Sequence, residues 1–187
     1  MSVKVITGKV RLSYCKVWTG EKNDQGVVKF STAVLVPKSD TETVNKIKAA
    51  LEEVKNDPES HQKWKGKFNA EMKACMRDGD LKADEQPEYA GHWFFNAAST
   101  TKPGIIGPDR QPIMDESEVY SGMYAYVSVN FYPFNNTSKG IAAGLNNIMK
   151  AADGERLGGG RSSAEDYFAD VAAPAAQQPA ASDGEWL

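Results

Sequence analysis

Histidine and cysteine are scarce in this 187-residue chain, which has two of each. Cys15 and Cys75 lie far apart and neither belongs to a Cys-x-x-Cys pair, so a zinc site or a disulfide framework has no support, and both read as free, half-buried thiols. His61 and His92 lack a local Cys or His partner, so a metal centre would need several distant carboxylates to converge. Asp78-Gly79-Asp80 with Asp84 and Glu85 lacks the oxygen-ligand spacing of a calcium loop and reads as a solvated acidic loop. Also missing are a Gly-x-x-x-x-Gly-Lys-Ser/Thr phosphate loop, a Gly-x-Ser-x-Gly elbow and a His-Glu-x-x-His helix. Gly158-Gly159-Gly160-Arg161 follows no clear strand and reads as a linker. The chain is therefore read as a non-enzyme with no metal and no cofactor. No apolar run approaches the roughly 18 residues that span a bilayer, and Met1 to Thr7 lack the apolar stretch of a secretory signal. A soluble, intracellular protein without a membrane partner is expected.

Charge is unevenly spread. The formal net charge is -3, but no Lys or Arg follows Arg161, whereas Glu165, Asp166, Asp170, Asp183 and Glu185 do. Without those five acids, residues 1–161 hold 22 basic against 20 acidic side chains, a formal +2. A mildly basic body with an acidic tail can meet an anionic partner where a uniformly acidic protein would not.

Residues 3–18 alternate as one long strand, a turn-rich cluster spans residues 19–26, and the β-branched run from Val27 to Val36 predicts the second arm of a hairpin. Ser39 or Asp40 can cap an amphipathic helix carrying Val44, Ile47, Leu51 and Val54, which Pro58 stops. The spacing over residues 60–76 predicts a second, basic helix, and residues 77–91 read as a loop. His92 to Ala98 form a short aromatic strand. The clearest strand runs from Gly122 to Tyr132, with Met123, Ala125, Val127, Val129 and Phe131 on a core face and Tyr124, Tyr126, Ser128, Asn130 and Tyr132 on the other. Lys139 to Ile148 supply a last strand. The expectation is a mainly β body with inserted helices, an OB-fold-like, five-stranded, partly open barrel over residues 1–152. A β-sandwich is the alternative. Residues 153–187 read as a Gly-rich linker and a disordered acidic tail.

Binding single strands without sequence preference needs flat side chains for stacking beside Lys or Arg that track phosphates. Tyr124, Tyr126 and Tyr132 offer the first on one strand face, and Lys9 and Arg11 offer the second on the opening strand. Tyr14 and Trp18 at the hairpin end, with Lys102 and Lys139 flanking the tyrosine strand in sequence, complete the candidate set. Aromatic residues on strands also cover helices and loops, so a structural or protein-interaction module without nucleic acid is the alternative reading. Lys63, Lys65 and Lys67 around Trp64 read either as a second basic patch or as a solvated face. In the tail, Asp183, Glu185, Trp186 and Leu187 combine acidity with an apolar pair that has no core to join, which suits a pocket on a partner. A homo-oligomer and a choice of RNA over DNA stay open, since stacking does not read the 2′-hydroxyl.

Several segments carry a resemblance. They are Thr7-Gly8-Lys9-Val10-Arg11-Leu12-Ser13-Tyr14, Leu35-Val36-Pro37-Lys38-Ser39-Asp40, Phe94-Phe95-Asn96-Ala97-Ala98, Lys102-Pro103-Gly104, Tyr120-Ser121-Gly122-Met123-Tyr124-Ala125, Phe131-Tyr132-Pro133-Phe134-Asn135-Asn136, and Gly140-Ile141-Ala142-Ala143-Gly144-Leu145-Asn146-Asn147, followed by the Gly-rich stretch to Phe168. Together they resemble a phage single-stranded DNA-binding protein family first catalogued as a domain of unknown function, over most of residues 3–170. The resemblance implies an OB fold, sequence-independent binding of single-stranded DNA, and service in phage replication or recombination in the cytoplasm of the infected cell. The acidic tail with Trp186 is similar to tails that recruit replication enzymes. No individual base contact is carried over.

Overall fold

The computed structural model of the protein describes residues 1–157. Alternating apolar side chains lay down the opening strands β1 (Val3–Ile6), β2 (Val10–Lys22) and β3 (Val28–Pro37), and β2 and β3 pair as the expected hairpin. The single strand read over residues 3–18 is divided because Thr7 turns inward. Its N–H donates to Val127 O and its hydroxyl accepts from Val127 N, each at 3.0 Å. Gly8 then donates to the Thr43 hydroxyl at 2.8 Å, and a Cβ on Gly8 would stand 2.6 Å from Asp40 Oδ2. Only glycine lets the start of the next helix dock this closely.

That helix, α1 (Thr41–Asn56), is capped by Asp40, whose carboxylate accepts from Thr43 N at 3.1 Å, and it buries Val44, Ile47, Leu51 and Val54 as the sequence predicts. The second helix is shorter than the expected 60–76: α2 (Pro58–Trp64) has seven residues. Lys65 takes a left-handed conformation at φ 58°, and Gly66 N closes the end on His61 O at 2.9 Å. A glycine directly after a left-handed residue satisfies the last carbonyls and cannot continue the helix, a stop signal that the Lys spacing obscured.

The remaining strands are β4 (Arg77–Asp78), β5 (His92–Ser99), β6 (Gly104–Ile106), β7 (Tyr124–Asn135) and β8 (Lys139–Ala152). Five strands form a ring in the spatial order β2-β3-β5-β8-β7 and back to β2, all antiparallel except β5 against β8. This is the OB-like arrangement expected, with β1, β4 and β6 added at its edges. The ring is closed where the sequence suggested a partly open one, yet it is not a regular barrel. β7 and β8 pair over twelve residues, whereas β2 meets β7 only through Val10↔Ala125 and Arg11↔Tyr124. The reason is that β1 occupies the rest of that β7 edge, from Ser128 to Phe131.

Inside the ring, Val10, Leu12, Val34, Phe95, Val127, Val129 and Phe131 are fully buried, and α1 closes one end with Ile47 and Val54. Burying a side chain of this size contributes about 1.5–3 kcal/mol each. The rings of Phe95 and Phe131 meet edge-on with centroids 5.4 Å apart. The β7 alternation holds throughout: Ala125, Val127, Val129 and Phe131 point in, and Tyr124, Tyr126, Ser128, Asn130 and Tyr132 point out. Cys15 and Cys75 are free and half-buried, and burial pushes their thiols up to about 11 and about 12. Among the described residues no helix is long and apolar enough to cross a membrane.

Residues 77–91, expected as a loop, form a cover on the outside of the ring. β4 pairs with β5, two short 3₁₀ turns follow, and the buried Tyr89 packs edge-on against Phe94, with centroids 5.0 Å apart, beside Leu35. Lys38 pins this cover through Asp78 at 2.7 Å and Asp80 at 2.6 Å. The hydrogen bonds from that ammonium hold both carboxyls below their ordinary range. The acidic Asp78-Gly79-Asp80 stretch is thus a latch for a lysine.

Candidate nucleic-acid interface

The register of the ring sets small side chains in a row across its outer face. Ser13 lies opposite Ala33, Ala33 opposite Asn96, and Ala142 on β8 opposite Tyr132 on β7. Ala97 beside Ala143 brings Asn96 next to Ala142. Two cavities, of about 370 and 530 Å³, adjoin along this row and share Asn96. Tyr14, Lys16, Ala33, Lys82, Gln86 and Phe94 are among the residues lining the first, and Lys73, Arg77, Phe134 and Ala142 among those lining the second. Joined at Asn96, they trace one trough that crosses the strands. Four strand spacings of about 4.8 Å separate its ends, roughly 19 Å along the sheet.

Each end carries an aromatic group, exposed at Tyr14 and half-buried at Phe134. At one end Tyr14 sits at an irregularity in the β2–β3 register, between the pairs at Ser13 and Lys16, with φ at 46°. A bulge of this kind re-aims a side chain, and a left-handed conformation in a tyrosine is strain held by its surroundings. Tyr14 is 54% exposed, and its hydroxyl is bonded by the Gln86 side-chain amide. The oxygen of that amide is buried and has no partner among the described residues. At the other end stands Phe134, and Tyr132, 37% exposed, flanks it two residues back along β7.

Among the described residues no Asp or Glu lines the trough, whereas Lys16, Lys82, Lys73 and Arg77 do. Arg77 and Lys82 lie over the Phe94 ring, 4.8 and 5.1 Å from its centroid, which fixes two cations at the rim. Lys16 is paired with Glu21 at 2.6 Å, but both side chains are exposed and such a pair holds by only about 0–1 kcal/mol. A field of one sign above a small-residue floor suits a polyanion with flat groups.

Of the residues singled out in the sequence, Tyr14 and Tyr132 come to this trough. Lys9 and Arg11 gather instead on Tyr124, 5.2 and 5.5 Å from its centroid, on the same outer face but beyond the Tyr89 cover. Arg11 also donates to Gly122 O at 3.1 Å and Glu155 O at 2.8 Å, so it anchors the chain that follows β8. Trp18 and Lys102 form a separate pair, with the ammonium 4.1 Å from the ring centroid. Tyr126 lines an apolar hollow with Ile6, Ile106 and Met149. Lys139 donates to Trp64 O at 2.6 Å and so caps α2. Asp183, Glu185, Trp186 and Leu187 lie outside the described residues. Lys73, Arg77, Lys82, Gln86 and Phe134 were not singled out for this site. The available signal was the alternation on β5, where Phe95 must face the core and Phe94 and Asn96 must therefore face out.

The chain matches the family profile described as Enterobacter phage Enc34, ssDNA-binding protein, over residues 3–178. It is 30% identical over 177 residues to putative protein p50 of Acyrthosiphon pisum secondary endosymbiont phage 1, covering 88% of this chain and 92% of that protein. Among solved structures, it is similar to the single-stranded DNA-binding protein from bacteriophage Enc34 in complex with ssDNA, with 25% identity, a TM-score of 0.68, and 84% and 89% of the two chains covered. It also shares its fold with gp2.5, a single-stranded DNA binding protein encoded by bacteriophage T7, at 13% identity and a TM-score of 0.61 over 92% and 96% of the chains.

Proposed function

The chain belongs to the Enterobacter phage Enc34 ssDNA-binding protein family, a family of binding proteins and not of enzymes, and on that premise we propose that it coats single-stranded DNA without regard to sequence during phage replication or recombination. The observation that carries this reading is the trough itself, aromatic at both ends, floored by Ala33, Asn96 and Ala142, and lined, among the described residues, by basic side chains and no acidic one. Tyr14 and Phe134 each take a base by stacking, which is worth about 1–3 kcal/mol per base. Lys73, Arg77 and Lys82 neutralise phosphates.

Filter binding with single-stranded and duplex DNA over a range of salt tests the reading. Affinity for the single strand should exceed that for the duplex, and log K should fall linearly with log salt, by about 0.7 for each phosphate neutralised. Equal affinity for both forms, or no salt dependence, refutes it.

The acidic segment after Arg161 acts, in this reading, as a competitor for the same cations. Its point of departure favours this: Leu157 N donates to Ser121 O at 2.9 Å, and Ser121 Oγ accepts from Cys15 N at 2.9 Å, so the described chain ends beside Tyr14. Deleting residues 162–187, which carry all five acids of that segment, should tighten binding to single strands, most at low salt. An unchanged or weaker affinity removes the competition. Asp183, Glu185, Trp186 and Leu187 then serve as the contact for replication or recombination proteins once DNA has displaced the segment.

A further inference from the structure

The segment that walls one end of the trough continues into a run of unpaired charge. Residues 63–77 contain Lys63, Lys65, Lys67, Lys73 and Arg77 against the single acid Glu71, a local +4 in a chain whose formal net charge is -3. Three contacts fasten this run to the base of the β7–β8 hairpin. Asn135 Nδ2 donates to Lys63 O at 2.7 Å, Trp64 Nε1 to Gly140 O at 3.1 Å, and Lys73 N to Lys139 O at 2.9 Å. Gly140 is needed there, because a Cβ would meet Lys73 O at 2.4 Å. Lys63 and Lys73 are thereby held at the same corner of the molecule, although only Lys73 lines the trough.

We infer that Lys63, Lys65 and Lys67 form a second phosphate-binding station, which receives the single strand as it leaves the Phe134 end of the trough. All three side chains are exposed, and among the described residues none has an ion-pair partner, unlike Lys16, Lys38, Lys46, Lys55 and Lys150. The abrupt stop of α2 turns the chain at Lys65, so that Lys65 and Lys67 leave the helix axis at the hairpin base instead of continuing along it. Their contribution is electrostatic only: Trp64 is buried, so no exposed ring among them can hold a base. The station therefore engages the backbone of a strand longer than the trough, and this inference rests on the trough being the DNA site.

The test is a triple substitution in the full chain, Lys63→Gln, Lys65→Asn and Lys67→Gln, with Asn chosen because it tolerates the left-handed backbone. Its affinity is compared with that of the unaltered chain for single strands of about 6 and about 20 nucleotides, lengths that fall within and beyond the roughly 4–16 nucleotides an OB fold covers. The short strand should bind as before, within about twofold. On the long strand the slope of log K against log salt should lose about 2, three phosphates at roughly 0.7 each. A loss on neither length, or the same loss on both, overturns the station. If the unaltered chain itself fails to bind either strand, it is the trough reading that has failed.

Discussion

Replacing Tyr14 and Phe134 together by leucine should weaken binding to single-stranded DNA by roughly 30-fold to 10⁴-fold, since two stacking contacts of about 1–3 kcal/mol each are lost and each 1.4 kcal/mol is a factor of ten. Leucine keeps an apolar side chain of similar reach but has no flat face, so the loss reports stacking and not the opening of a hole. The fold should survive. Tyr14 is 54% exposed and its hydroxyl bonds, among the described residues, only to Gln86, and Phe134 lines the open trough. Each single variant should show about half of the free-energy change, because the two rings stand at opposite ends of the trough, too far apart to couple directly. Fluorescence titration with an oligonucleotide measures the effect, with circular dichroism as the check on folding. A double variant that binds within about threefold of the unaltered chain would place the bases elsewhere, with the Lys9, Arg11 and Tyr124 cluster as the next position to test.

The contrast between β7 and the segment from residue 60 to residue 91 shows what the sequence could and could not say. On β7 every inward position is apolar and the outward ones from Tyr124 to Tyr132 are polar or tyrosine, so strand, register face and core are readable from a period of two alone, and only the outward Phe134 breaks the rule. Tyr14 was readable as an aromatic beside basic residues, but its aim into the trough depends on a register shift against β3. The 60–91 segment has no such internal rule. Its conformation is set by contacts with residues far along the chain: Lys73 with Lys139 and Ile141, Lys38 with Asp78 and Asp80, Tyr89 with Phe94. For that reason local spacing predicts a second helix longer than α2 and reads Arg77 and Lys82, which flank the trough, as parts of a loop. Lys139 illustrates the converse. Beside a tyrosine strand it reads as a phosphate contact, but the carbonyl of Trp64, 75 residues away, takes its ammonium. A cation's role is decided by the acceptor it finds, and that acceptor is not local.

Trp64 joins these two lessons, and its removal should have the largest effect on stability. The side chain is fully buried, its indole N–H is shared between Phe134 O at 3.2 Å and Gly140 O at 3.1 Å, and its ring meets Phe68 edge-on at 5.5 Å. Trp64→Ala should cost about 3–5 kcal/mol, the range for emptying an aromatic site in a core. Trp64→Phe keeps most of the apolar volume but leaves two carbonyls without their donor, a loss of about 1–3 kcal/mol. Urea unfolding gives both numbers from the shift in midpoint at constant slope. The phenylalanine variant carries the sharper consequence. The carbonyls it orphans belong to the hairpin base that positions Phe134 and holds Lys73 at the trough, so affinity for single-stranded DNA should fall even under conditions where the variant is fully folded. Val54→Ala, at a buried core position on α1 itself whose side chain makes no hydrogen bond to β7 or β8, should lower stability while leaving affinity unchanged. If Trp64→Phe and Val54→Ala lose stability alike and bind alike, the hairpin base does not set the geometry of the trough, and the link from the buried indole to the DNA surface is broken.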